Sequence, residues 1–319
     1  MELVLRLILN NLVKLGVIPS SKRIQMDSCF PRPFGLANTN AICHFNALLQ
    51  ALATCPKFIS ALCENREYFA KKETGKCLYN FARAVQESCS GGGVVDPSHS
   101  ARLLGAFLRD LRKERPGFRY DGSNESASEG LLLLLDVIGF DKSPAADLMQ
   151  YRAGTHLWCK RCSVNGYVSK PGAKVGVVSS KEDHGFCFNA FHLDTSQYEF
   201  PMSLLLHSTE IDGYRCDVCK HTGEAHNVCS MDFIPEIFVI ALNQYRCKKL
   251  RHIPSTFKAK GARYLLVATV EHSGSLGGGH YRARVQRVNG ACIADDLSTT
   301  RGEVAVTEHT YLAFFVKIN

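Results

Sequence analysis

Three groups of residues in this chain of 319 have types and spacings that could do chemistry. The first centres on Cys43, where the turn-rich stretch Phe34-Gly-Leu-Ala-Asn-Thr-Asn-Ala-Ile runs into Phe45, Leu48, Leu49 and Leu52 at helical spacing. That spacing predicts an amphipathic helix with Cys43 in its first turn, ended by Pro56. The free N–H groups and positive dipole end at a helix start favour a thiolate, which is the nucleophile. The plainer alternative is a buried, inert thiol, because free cysteine is among the most buried residue types.

The second group is built on His280, which closes the stretch His272-Ser-Gly-Ser-Leu-Gly-Gly-Gly-His-Tyr between two strands. Its glycines make a connection of little bulk, against which a narrow extended ligand can lie. Asp295 and Asp296 follow on the next strand, after a turn at Asn289-Gly290. Antiparallel neighbours can set an Asp beside a His, orienting one ring nitrogen while the other faces a thiol. Cys, His and Asp in that chain order would suit papain-like nucleophilic catalysis. A lone histidine at a strand start is otherwise just a satisfied polar residue.

The third group is a pair of CxxC knuckles, Trp158-Cys-Lys-Arg-Cys and Arg215-Cys-Asp-Val-Cys. Two such knuckles can close a tetrahedral zinc site on Cys159, Cys162, Cys216 and Cys219, structural rather than catalytic because all four ligands would be protein thiolates. A redox pair, or His221 as fourth ligand, are the alternatives. Strand-like text at Phe186 to Leu193 and Leu204 to His207 would bring the knuckles together.

These groups need elements to hold them. Leu3 to Ile18 is apolar but interrupted by Arg6, Asn10, Asn11 and Lys14, too short and broken to cross a bilayer and without a cleavable-signal layout. It reads as a helix packed on the body, or as a peripheral membrane or partner helix. Ser20 to Pro33 reads as a connecting arm. Leu78 to Val85 and Ala101 to Leu111 read as helices, the second capped by Asp96 or Ser98. A third helix enters through Asn124-Glu-Ser-Ala-Ser-Glu-Gly and carries leucines 131–135, expected to be buried nearly all round. Glu129 in its first turn either complements the helix dipole or faces a cationic ligand.

From Phe233 the pattern becomes period-two, in Ile237 to Tyr245, Tyr264 to Glu271, His280 to Val288, Ala291 to Ala294 and Tyr311 to Ile318. This predicts one antiparallel sheet packed on the helical first half, and the fold class is α+β.

Composition narrows the setting. With 45% hydrophobic residues the chain can bury one large core or two coupled ones. Its 14 cysteines lack the dense framework of a small secreted protein, so a reducing compartment is expected, the cytoplasm or the nucleus. The net charge of +8 comes from scattered Lys and Arg, which suits a solvated surface rather than nucleic acid.

The motifs together resemble the ubiquitin-specific proteases, papain-like cysteine peptidases with thumb, palm and zinc-bearing fingers. Gly35 to Gln50 is similar to the family's cysteine box and Gly278-Gly-His-Tyr-Arg-Ala to its histidine box. Glu125 to Asp136 resembles the thumb segment, Pro235 to Tyr245 a palm strand, and Tyr311-Leu-Ala-Phe-Phe the last strand.

The resemblance implies residues 1–33 as helix and arm, 34–153 as thumb, 154–232 as fingers and 233–319 as palm. It implies Cys43 as nucleophile, His280 as general base and acid, Asp295 orienting the imidazole, Asn38 as oxyanion donor, and Asp296 supporting or replacing Asp295. Glu129 would meet the basic tail of ubiquitin. The Ser273 to Gly279 loop, with Gly278, Gly279 and Tyr281, would cover its Gly-Gly end, and zinc would brace the fingers.

The chain departs from the family pattern at Asn40, Ala41, Ile42, His44 and Gly130, as a divergent or virus-encoded member would. His44 is no candidate base, since adjacent helix residues point to different faces. The expected activity is hydrolysis of the isopeptide bond after the Gly-Gly end of ubiquitin or a ubiquitin-like modifier. The competing readings are an inactive ubiquitin-binding module of the same fold and a zinc-knuckle nucleic-acid-binding protein.

Overall fold

The computed structural model describes residues 30–39, 41–121, 125–189, 206–242, 253–275 and 278–318. The expected N-terminal helix, most of the arm and Asn40 lie outside them. In chain order the elements are α1 (Cys43–Leu52), α2 (Pro56–Glu64), α3 (Arg66–Phe69), α4 (Glu73–Cys89), α5 (His99–Glu114), α6 (Ala127–Val137), β1 (Tyr151–Cys159), α7 (Lys160–Val164), β2 (Val177–Gly185), β3 (Phe188–Asn189), β4 (Leu206–Arg215) and β5 (Thr222–Phe233). There follow β6 (Ile237–Ala241), β7 (Thr256–Ala259), β8 (Ala262–Ser275), β9 (Gly278–Arg287), β10 (Gly290–Asp295), β11 (Ser298–Arg301) and β12 (Thr310–Ile318). No helix among the described residues is long and apolar enough to cross a membrane.

Contacts divide the chain into two units, one from residues 1–124 with 282–304, the other from 125–281 with 305–319. In the first, α1 is buried on every face, so it is not the amphipathic helix its apolar spacing predicts. Its polar residues are accommodated instead: His44 lies 3.2 Å from the Tyr120 hydroxyl and Gln50 Nε2 donates to the Phe34 carbonyl at 2.7 Å. Pro56 does not merely end a helix but opens α2 at its first turn, where its missing N–H is no loss.

Helices α4 and α5 are longer than their apolar cores suggest and pack against each other. Asp110 on α5 accepts from the backbone N–H of Thr74 at 2.9 Å and from its hydroxyl at 2.8 Å, satisfying an orphan donor at the start of α4. Neither Ser98 nor Asp96 caps α5 through a side chain. The Asp96 carboxylate instead accepts from the Ser98 N–H and hydroxyl and from Arg102. Phe107 of α5 stacks on Phe45 of α1, centroids 6.0 Å apart.

Three strand segments complete this unit. Residues 282–287 of β9 pair with β10 through Arg287↔Gly290 to Ala283↔Ala294, around the connection Val288-Asn289, one position before the Asn289-Gly290 turn expected from the sequence, because Gly290 is already paired in β10. β10 then pairs with β11, Cys292↔Arg301 to Asp295↔Ser298.

In the second unit α6 is entered through Ser126, whose Oγ accepts from the Glu129 N–H, as the polar entry predicts. Four of its five leucines are buried, but Leu132 is 44% exposed, because one face of a helix this short still meets solvent. A four-stranded antiparallel sheet has the order β2-β1-β5-β4. Its strands 151–159, 206–215 and 222–233 carry the cysteine knuckles. Of the strand-like text Phe186 to Leu193, residues 190–193 lie outside the described residues, and β3 at Phe188–Asn189 pairs on a different sheet.

That other sheet holds β8, β12, β6 and β3 in order, with β7 on the first part of β8. Its pairs are antiparallel except β3 with β6, which run parallel. β9 starts beside β8 in this unit, and its last six residues belong to the first.

Candidate active site and cysteine cluster

In the first unit the approach to Cys43 is built by backbone as much as by side chains. Ala41 has φ +56°, a left-handed conformation unusual for a residue with a Cβ. Ile42 occupies the helix N-cap without a capping side chain. Asn38 supplies what is missing, its Oδ1 accepting the Ile42 N–H at 2.9 Å. Cys43 is the first residue of α1 and is 5% exposed.

The same Asn38 donates through Nδ2 to Asp296 Oδ2 at 2.7 Å. Asn46, one turn into α1, donates to the other carboxylate oxygen, Oδ1, at 2.7 Å. Asp296 is itself left-handed, φ +49°, and its carbonyl accepts the Leu36 N–H at 2.8 Å. Asp296 therefore ties the loop before the cysteine and the helix after it to the β10–β11 turn. Gly35 is required here, since a Cβ would overlap the Leu297 backbone. Asp295, half-buried at the end of β10, pairs with Ser298.

His44 faces the interior. It is fully buried, and burial lowers its pKa to about 4 against a smaller opposing pull from Asp121, so it is neutral near pH 7. It is a packing residue bonded to Tyr120.

In the second unit His280 is exposed, as are Gly278 and Gly279, while Tyr281 is buried. The Tyr281 ring packs 4.4 Å from His272 and edge-on to Tyr311 at 5.8 Å. Gly279 is needed because a Cβ would overlap the His272 ring, whereas Gly278 has open space beside it. Glu129 is exposed in the first turn of α6, where a carboxylate complements the helix dipole.

The four knuckle cysteines come together. Their sulfurs all lie within 4.8 Å of one another, with Cys159 to Cys219 at 3.9 Å and Cys162 to Cys216 at 3.5 Å. A tetrahedral zinc with bonds of about 2.3 Å needs sulfurs roughly 3.8 Å apart, so this set fits that ion. Burial raises the Cys216 thiol, but the backbone N–H groups of Cys219 and Val218 outweigh it and bring the group below its ordinary value. The turn closing the second knuckle is left-handed at Lys220, φ +57°, and the Cys216 N–H bonds the His221 carbonyl at 2.9 Å. His221 is not part of the sulfur group: its Nδ1 faces Arg161 Nη1 at 2.8 Å. Four cysteines, not three with a histidine, could hold the metal.

Two contributors were not singled out from sequence, Asn46 and Gln50. They are four apart on a helix whose only other polar side chain besides Cys43 is His44, and so share a face. That polar pair was the available signal that this face meets backbone and carboxylate rather than hydrocarbon.

The architecture is α+β, with Cys43 opening a buried helix and four cysteines gathered at one antiparallel sheet. The sequence profile described as ubiquitin carboxyl-terminal hydrolase matches residues 34–315, and the chain belongs to that family. Among curated protein sequences none matches it. Among solved structures it is similar to a chain of the SAGA DUB module of Ubp8, Sgf11, Sus1 and Sgf73 bound to monoubiquitin. That likeness has 14% identity and a TM-score of 0.67, and covers 99% of this chain and 74% of that one. A second likeness is to the yeast SAGA DUB module with a mutant Sgf73, at 14% identity and TM-score 0.65, covering 95% and 71%. At such identities the likeness concerns the fold, and it agrees with the resemblance read from the motifs.

Proposed function

We propose that this chain is a thiol-dependent deubiquitinase that hydrolyses the isopeptide bond after the C-terminal Gly-Gly of ubiquitin or a ubiquitin-like modifier. The observation that carries the reading is Cys43 at the first position of α1, with Asn38 held beside it by Asp296. Family membership and the monoubiquitin bound in the neighbouring SAGA structure support the substrate class.

In this reading the Cys43 thiolate attacks the carbonyl carbon, and the remaining Asn38 amide hydrogen faces the oxyanion that develops. His280, oriented by Asp295, takes the thiol proton and returns it to the leaving lysine amine; the C–N bond breaks and a thioester remains. Water, deprotonated by His280, then attacks the thioester and releases Cys43. β9 supports this assignment because it carries His280 at its start and pairs with β10, which ends in Asp295. Glu129 would meet the basic tail, and open Gly278 would leave room for an extended chain. Cys159, Cys162, Cys216 and Cys219 would hold a zinc that braces the fingers and takes no part in the reaction. The expected location is the cytoplasm or nucleus.

The test is reaction with ubiquitin carrying a C-terminal electrophile, beside Cys43→Ala. A covalent adduct at Cys43 in the folded protein is expected. Noncovalent binding without adduct would point instead to a ubiquitin-binding module.

A further inference from the structure

Arg287, the last residue of β9, is 1% exposed. Among the described residues no carboxylate faces it. Burying a cation without a counter-ion is costly, and an apolar side chain of similar volume generally serves stability as well or better. Its partners are unusual in kind. Nη2 donates to the main-chain carbonyl of Gln50 at 3.3 Å and to the Gln50 side-chain oxygen. Nη1 donates to Thr54 Oγ1 at 2.6 Å and to its neighbour's carbonyl, Gln286, at 3.0 Å. The Thr54 hydroxyl in turn donates to the Gln50 carbonyl at 2.9 Å.

Gln50 is in the last turn of α1, where carbonyls lack helical partners and the dipole is negative. Arg287 therefore caps the far end of the helix that begins at Cys43. The clamp extends further, because Gln50 Nε2 bonds the Phe34 carbonyl at 2.7 Å and the guanidinium lies 5.0 Å from the centre of the Phe34 ring. One planar fork thus joins the helix bearing Cys43, the segment leading to Asn38, and the β9–β10 hairpin leading to Asp295 and Asp296.

We propose that Arg287 is a positioning residue for the reaction at Cys43, its guanidinium fixing α1 in register with the β9–β10 hairpin. This rests on the deubiquitinase reading for the reaction, though not for the clamp. Misplacement by about 1 Å away from the chemistry can cost on the order of 100-fold in rate. A lysine would retain charge and reach but not the fork that bonds Gln50 and Thr54 together.

The test compares wild type with Arg287→Lys, Arg287→Met and Thr54→Val. Readouts are kcat and KM on a ubiquitin C-terminal fluorogenic substrate, the pH profile of Cys43 alkylation by iodoacetamide, and thermal melting. For Arg287→Lys we expect kcat to fall roughly 10- to 100-fold with KM unchanged. Slower alkylation is expected in both Arg287 variants, with the midpoint shifted to higher pH in Arg287→Met, which lacks the cation. Thr54→Val keeps the volume and removes one acceptor; it carries the test if the Arg287 variants do not fold, with a lower kcat at near wild-type melting. Wild-type kcat and alkylation in the folded Arg287→Lys protein, or in Thr54→Val should that alone fold, would overturn the proposal. If wild type cleaves no ubiquitin substrate, the functional reading fails, while alkylation still reads the clamp.

Discussion

The amide of Asn38 donates to the carboxylate of Asp296 at 2.7 Å, across 258 positions of sequence. With Asn46 on the other oxygen, that carboxylate holds an asparagine on each side of Cys43. Asn38→Ala is expected to lower kcat by roughly 10²–10³ with little change in KM. Asp296→Ala should follow in the same direction with Asn38 still present, because the donor is no longer aimed. Steady-state kinetics beside thermal melting check this, and wild-type kcat in Asp296→Ala would separate the bond from the chemistry.

Ala41 is left-handed immediately before the helix start. A residue with a Cβ pays about 1–2 kcal/mol there, and glycine gives back part of that through unfolded-state entropy. Ala41→Gly should therefore stabilise the protein by about 0.5–1 kcal/mol in urea denaturation at unchanged m-value. Ala41→Val should destabilise it.

His44 should make the protein acid-labile. Its folded pKa, about 4, lies below the ordinary histidine value, chiefly because of burial. Its contribution is thus fully present above the unfolded value of roughly 6.5 and is lost as pH falls toward 4, where the unfolded chain takes up a proton that the native site refuses. Denaturation midpoints from pH 7 to 4 should drop more steeply for wild type than for His44→Phe. Parallel slopes would mean that His44 is not the group responsible.

The cysteine cluster predicts a metal-dependent fold for the β2-β1-β5-β4 sheet. Chelation verified by elemental analysis should lower the melting temperature, and Cys162→Ser should do the same without chelator. About one zinc per chain is expected in the purified protein. Melting that is unchanged after confirmed metal loss would remove zinc as a brace.

Asp110 offers a test away from the site. Burial works against its charged form, but the Thr74 N–H and hydroxyl prevail and hold its carboxyl below the usual range. The bond stabilises the fold above the unfolded carboxyl pKa and weakens as pH falls through the lower folded one. Asp110→Ala should cost about 1–2 kcal/mol at neutral pH and less near pH 3, as read by denaturant titration.

Much of this was legible locally. The start of α1, the two knuckles, the polar entry to α6 and, to within one position, the β9–β10 hairpin each depend on residues close to one another in sequence, and dihedral preference and hydrogen-bonding reach act over that range. Element ends were less legible: α4 and α5 run past their apolar cores because polar, solvent-facing turns continue a helix without altering its periodicity.

What tertiary structure alone decided is which polar groups meet. Apolar spacing made α1 amphipathic, yet it is buried all round because Asp296, Tyr120 and Arg287 arrive from distant segments to satisfy Asn46, His44 and Gln50. In sequence those residues are ordinary polar positions, and nothing near them names a partner. The sequence by itself marked Cys43, Asn38 and the four knuckle cysteines, and the local turns that hold them. Which polar groups meet around them was set by strand register and helix packing, which bring together residues from 76 to 258 positions apart.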